Sequence, residues 1–129
     1  MQTLSRCSAP SMLLEHIDDA CAMARAVDHP SVRLIFDTAH VQSMDGDLLF
    51  NLERAWNFIE VVQLADNSGS LEQGSGEINF ESVLRTLVDR GYTGLVELEY
   101  GWSNPGMPSE MRGLGNLRRL DAAETDPPT

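Results

Sequence analysis

The sequence predicts an α/β fold of about three parallel strands joined by crossover helices. Two observations carry that expectation. Short apolar runs at Val32 to Phe36, Val61 to Ala65 and Leu95 to Glu99 recur about every 30 residues. The stretches between them hold apolar residues at helical spacing. Strands separated by a helix cannot close as tight hairpins, so the alternation calls for parallel pairing.

Ser11 can cap a first helix, Met12 to Val27, with Leu13, Leu14, Ile17, Ala20, Cys21 and Ala24 on its inner face, and His29-Pro30 stops it. The strand Val32 to Phe36 follows. Asp47 can cap a second helix, Leu48 to Ile59, turning Leu48, Leu49, Leu52, Ala55, Trp56 and Ile59 inward, and the second strand comes almost at once. The loop DNSGSLEQGSGEI is too rich in Gly and Ser for a regular element. Asn79 caps a third helix, Phe80 to Arg90, and Gly91 offers its left-handed stop. Beyond Gly101 the pattern weakens to a short helix, Glu110 to Ala123, and a frayed tail, ETDPPT. This organisation divides the chain into a strand-bearing part, 1–100, and a C-terminal helix with a flexible tail, 101–129.

The 129 residues, 42% apolar and 22% charged, are enough for one domain with a real core. Twenty acidic against nine basic residues leave a net charge of −11. That field repels phosphate backbones and anionic membranes, which argues against nucleic acid as the main ligand and points away from a membrane surface. It suits divalent cations or simply a solvated acidic surface. Cys7 and Cys21 stand fourteen positions apart, matching neither a zinc ligand pair nor a redox CxxC. They read as reduced thiols of a cytoplasmic protein, with a lone disulfide between them as the alternative. The start, MQTLSRCSAPSM, lacks the apolar core of a signal peptide, and no run approaches the roughly 18 apolar residues of a membrane helix.

In parallel α/β folds functional groups gather where strands end. Here the strands end in Asp37, in Gln63 followed by Asp66, and in Glu99. All offer oxygen. Gln63 and Glu99 interrupt apolar runs, so each needs either a hydrogen-bonding neighbour on the next strand or a hard cation such as Mg²⁺ or Mn²⁺. His40 can contact a substrate or cap the turn after Asp37. His16 and His29 read as structural. GSLEQGSG has the glycine spacing of a phosphate loop without its lysine, so a nucleotide site is not indicated.

FDTAHVQSMDGD, VVQLADNSGSLEQGSGEINF and GYTGLVELEY, in this order, resemble the C-terminal part of the hydroxypyruvate isomerase family. That family belongs to the xylose-isomerase-like (β/α)₈ barrels. The resemblance implies a partial TIM barrel in which strands six to eight deliver Asp37, Gln63 and Glu99 to a divalent metal, Mg²⁺ or Mn²⁺. It implies that Glu99 is catalytic, moving protons, and that His40, Asp66 and Glu72 contact substrate. The implied reaction interconverts an α-hydroxy-ketone and an α-hydroxy-aldehyde, hydroxypyruvate and tartronate semialdehyde. A complete barrel is typically about 250 residues, so the chain is expected to be a truncated product, a fragment, or a half-barrel that pairs with a copy or a complementing half. Carrying the match backward puts Gln2 where the family has a second catalytic glutamate, and an amide cannot act as a base. Ser70 or Leu71 stands near the family's loop arginine. The alternatives are a non-catalytic half-barrel that binds a partner or carbohydrate, or a related sugar epimerase. An abasic-site endonuclease is disfavoured, because the chain has three histidines and the wrong charge for DNA.

Overall fold

In the computed structural model, which describes residues 1–3, 13–67 and 69–125, three strands lie side by side in chain order and all run parallel. They are β1 (Leu34–Asp37), β2 (Ile59–Leu64) and β3 (Leu95–Leu98). Consecutive neighbours, each pair joined through helix, are the winding of a barrel segment, and the expected α/β partial barrel is what forms. Gln2 adds an isolated parallel bridge to Ile35 on the outer side of β1, so the chain start lies beside β1 like a further strand.

The core lies on the helix side of the sheet. Leu34, Phe36, Val62 and Leu64 point there and are buried. They meet Ile17, Ala20, Cys21 and Ala24 of α1 (Ile17–Val27), Leu48, Leu52 and Ala55 of α3 (Leu48–Ala55), and Phe80, Val83 and Leu87 of α4 (Phe80–Asp89). Each such large side chain contributes about 1.5–3 kcal/mol by leaving water. The other face carries successive rows in register across the strands: Ile35, Val61 and Leu95, then Asp37, Gln63 and Glu97. Among the described residues little covers β3, and Leu95 is 65% exposed.

Several boundaries differ from the sequence expectation. α1 begins at Ile17 rather than Met12, because its start is tied to a distant carboxylate: Asp45 Oδ2 accepts from the Ile17 N–H at 3.1 Å and Asp45 Oδ1 pairs with His16 Nδ1 at 2.8 Å. Ser11, Met12 and Cys7 lie outside the described residues. A short helix, α2 (Thr38–Met44), stands where the sequence reads as a polar turn. Asp47 lies before α3 with a left-handed φ of 40° and makes no side-chain cap, and the helix ends at Ala55 before a 3₁₀ turn, Trp56–Phe58. The α4 cap is as expected, with Asn79 Oδ1 accepting from the Ser82 N–H at 3.1 Å. Gly94 is required where β3 opens, since a Cβ there would stand 2.5 Å from the Glu60 carbonyl oxygen.

The C-terminal helix, α5 (Met107–Thr125), is longer than expected. Leu117 and Leu120 of α5 pack against the central core. Residues 126–129, most of the expected tail, lie outside the described residues. Among the described residues no helix is long and apolar enough to cross a membrane.

Candidate functional site

Asp37 ends β1 and starts α2 at once. Its Oδ1 accepts the His40 backbone N–H at 2.9 Å, which makes it the N-cap of α2. Its Oδ2 faces the open side of the sheet, where it accepts from Gln2 Nε2 at 3.1 Å. The same Gln2 nitrogen donates to Gln63 Oε1 at 2.8 Å, so one N–H₂ group bridges the two oxygens that strands β1 and β2 present. Gln63 Nε2 in turn donates to Glu97 Oε2 at 3.1 Å. Gln2, Asp37, Gln63 and Glu97 thus form one hydrogen-bonded line across the strand ends.

The environment of Asp37 is low in water, and that burial pushes its carboxyl above the ordinary carboxylate range. The His40 N–H bond and the His40 ring oppose the shift, while the charge of Glu99 adds to it. The His40 ring is itself buried, with Nε2 3.9 Å from Asp37 Oδ2. Glu99 lies one residue past β3 and is exposed rather than buried as its apolar context implies, because the described residues leave β3 open. Glu97, two residues earlier on the same face, is the carboxylate that touches Gln63. The alternation of LVELEY holds both glutamates on that face, and only the register with Gln63 separates their roles.

Asp66 and Glu72, the two further residues expected to contact substrate, both hold hydrogen bonds within the loops. Asp66 is fully buried. Its Oδ1 accepts from the N–H groups of Asn67 and Ile78, and its Oδ2 from those of Gly74 and Gly76, all at 2.9–3.1 Å. That carboxylate is the centre around which the glycine-rich loop folds. Gly76 is required beside it: a Cβ would stand 1.6 Å from the Asn67 carbonyl oxygen and 2.6 Å from Asp66 Oδ1. Glu72 binds the next loop, accepting from the Ser103 hydroxyl and, at 2.8 Å, from the Ser103 N–H. Those bonds hold its carboxyl below the usual range, the hydroxyl most. His16 and His29 are structural as expected, pairing with Asp45 and accepting from the Ser31 N–H.

The donor set suits a hard cation. Asp37 Oδ2 and Gln63 Oε1 converge on one point, now held by a hydrogen-bond donor, and oxygen ligands of this kind favour Mg²⁺ or Mn²⁺. Among the described residues no group of three or more His, Cys, Asp and Glu is gathered closely enough to hold a metal ion. One carboxylate and one amide oxygen meet at that point, with Glu99 near enough to act on Asp37 through its charge.

Comparisons with known proteins agree with this architecture. The family model of the xylose isomerase-like TIM barrel matches residues 7–120. A 2-oxo-tetronate isomerase of Haemophilus influenzae is 31% identical over 100 residues, 78% of this chain and 39% of that protein. A human relative, whose name gives hydroxypyruvate isomerase provisionally, is 35% identical over 97 residues, 74% of this chain and 35% of that protein. The crystal structure described as an AP endonuclease, family 2, from Brucella melitensis superposes with a TM-score of 0.82 at 27% identity, covering 92% of this chain and 44% of that one. The chain spans well under half the length of these relatives. With three parallel strands in barrel order and a family match along most of its length, the chain belongs to the xylose isomerase-like TIM barrel family.

Proposed function

We propose that this chain carries part of the active site of a keto–aldo isomerase acting on a small α-hydroxy-carbonyl acid of the hydroxypyruvate class. One observation carries the reading: Asp37 Oδ2 and Gln63 Oε1 aim at the same point on the open face at the strand ends, within reach of one bridging nitrogen. Relatives named as hydroxypyruvate and 2-oxo-tetronate isomerases support the reaction class.

Such a reaction removes a proton from the carbinol carbon, passes through an enediol, and returns a proton to the neighbouring carbon, which had been the carbonyl. Glu99, the exposed carboxylate one residue past β3, is the group assigned to the carbon-bound proton, as the resemblance to the isomerase family implies. The His40 ring, held against Asp37, is assigned to a substrate oxygen. A divalent cation would be held by Asp37, Gln63 and Glu99. When bound, it supplies Lewis-acid stabilisation of negative charge on the substrate oxygens. Burial of Asp37 favours a neutral carboxyl in its absence, so the site gains by pairing that charge.

A second reading, a non-catalytic half-barrel that binds a ligand or partner, is favoured by Gln2, whose amide cannot move a proton. The exposed face of β3 is the surface on which a second copy or a complementing half would sit. The cytoplasm remains the proposed location. Titrating Mn²⁺ by calorimetry into the parent chain, Asp37→Asn and Glu99→Gln tests the site. Saturable binding lost in both variants supports it, and binding unchanged in either removes that residue from the seat. An isomerase assay with hydroxypyruvate, with and without Gln2→Glu, separates the two readings.

A further inference from the structure

The line of side chains across the strand ends has a direction, and one residue dictates it. A carboxylate only accepts hydrogen bonds, whereas an amide has one accepting and one donating end. Gln63 Nε2 donates to Glu97 Oε2 at 3.1 Å, so the Gln63 carbonyl oxygen must turn the other way, toward β1. There it meets Gln2 Nε2 at 2.8 Å, and that nitrogen also serves Asp37 Oδ2 at 3.1 Å. Reversing the Gln63 amide would set its oxygen against the Glu97 carboxylate and its nitrogen against the Gln2 nitrogen. Both contacts would then be repulsive. Asp37 imposes the matching constraint on Gln2 from the far end, so the two carboxylates leave a single consistent arrangement.

We propose that Glu97 is a positioning residue that holds the Gln63 carbonyl oxygen toward Asp37 and thereby makes the seat between them acceptor-only, fit for a cation or a hydrogen-bond donor. The proposal rests on the reading that Asp37 and Gln63 form the binding seat. The Gln2 amide fills that seat in the resting chain, and a ligand must displace it. Glu97 acts without touching the ligand, by fixing which end of an amide faces it, as outer partners do for the ligands of metal sites. Without Glu97, the Gln63 amide can turn and present its nitrogen to the seat.

The test reads the side-chain NH₂ signals of Gln2 and Gln63 by NMR in the ¹⁵N-labelled, cation-free chain, comparing the parent with Glu97→Ala and Glu97→Gln. Gln73, whose Nε2 faces the Leu64 carbonyl, is the internal control. Glu97→Ala is expected to move both the Gln63 and the Gln2 signals toward those of solvent-exposed amides while Gln73 stays in place. Glu97→Gln, which keeps an acceptor oxygen, is expected to restore part of the shift. Unmoved Gln63 signals overturn the proposal, and so does a Gln63 shift that leaves Gln2 unmoved. A Mn²⁺ titration follows, in which Glu97→Ala is expected to weaken binding about tenfold or more with the melting temperature unchanged. A parent chain that binds no Mn²⁺ refutes the cation reading of the seat, while the amide signals still decide the role of Glu97.

Discussion

Asp37 and His40 are joined twice. The His40 backbone N–H donates to Asp37 Oδ1 at 2.9 Å, and the His40 ring nitrogen Nε2 stands 3.9 Å from Asp37 Oδ2. The first contact begins α2 and the second faces the open side of the sheet. One carboxylate therefore starts a helix with one oxygen and offers the other to a ligand, and the cap is what holds that second oxygen in place.

Asp37 titrates above the ordinary carboxylate range because it is buried, so folding favours its neutral form. Its contribution to stability is fully present below the unfolded value of about 3.9 and is lost as pH rises through the raised folded value. Asp37→Asn removes that loss. The melting temperature of the variant minus that of the parent, measured in chelator, is expected to become more positive from about pH 4 to about pH 7. A flat difference contradicts the burial argument.

Gln2→Glu replaces a donor between two acceptors by a third acceptor. Without a cation the new charge faces Asp37, and a cost of about 1 kcal/mol lowers the melting temperature by roughly 3–6 °C. With Mn²⁺ the sign is expected to reverse, the variant gaining more on saturation than the parent does. Thermal melts in chelator and in excess Mn²⁺ check both signs.

The loop from Asn67 to Ile78 depends on Asp66. Asp66→Asn turns an N–H₂ group toward N–H donors that the carboxylate satisfied, at a cost of about 1–3 kcal/mol for each group left unpaired. Gly76→Ala meets the Asn67 carbonyl oxygen and is expected to cost more than about 1 kcal/mol. Urea denaturation gives the magnitudes. Amide exchange at Gly74 and Gly76, accelerated in both variants, localises the effect.

Glu72 joins the loops after β2 and β3 through Ser103, and its lowered carboxyl favours the charged form in the folded state. Its stabilisation is present above the unfolded value of about 4.3 and is lost as pH falls through the lowered folded value. Ser103→Ala removes the hydroxyl bond. The parent is expected to lose more melting temperature than the variant between about pH 5 and about pH 2. Equal losses contradict the tether.

Local chemistry was legible in the residues themselves. Asn79 caps α4 through an N–H three residues on, and Phe80, Val83 and Leu87 follow at helical spacing, so that element is written within its own segment. The start of α1 was not legible, because its capping carboxylate, Asp45, comes from beyond β1. α2 was missed because TAHVQSM has no apolar stripe and begins from a strand residue. The loop-holding role of Asp66 was not legible either: a carboxylate after a strand accepts N–H bonds from whatever lies nearest, and here the glycine-rich loop folds back over it.

The sequence by itself determined the α/β alternation, the parallel strands and the oxygen-bearing strand ends, since apolar periodicity and turn residues act over a few positions. Only the tertiary structure decided which of those oxygens share a place. Register put Glu97, not Glu99, beside Gln63; folding of the chain start put Gln2 between Gln63 and Asp37; and closure of the loop gathered the Gly74 and Gly76 N–H groups on Asp66. Hydrogen bonds depend on the direction of groups far apart in the chain, and that direction exists only once the strands are paired.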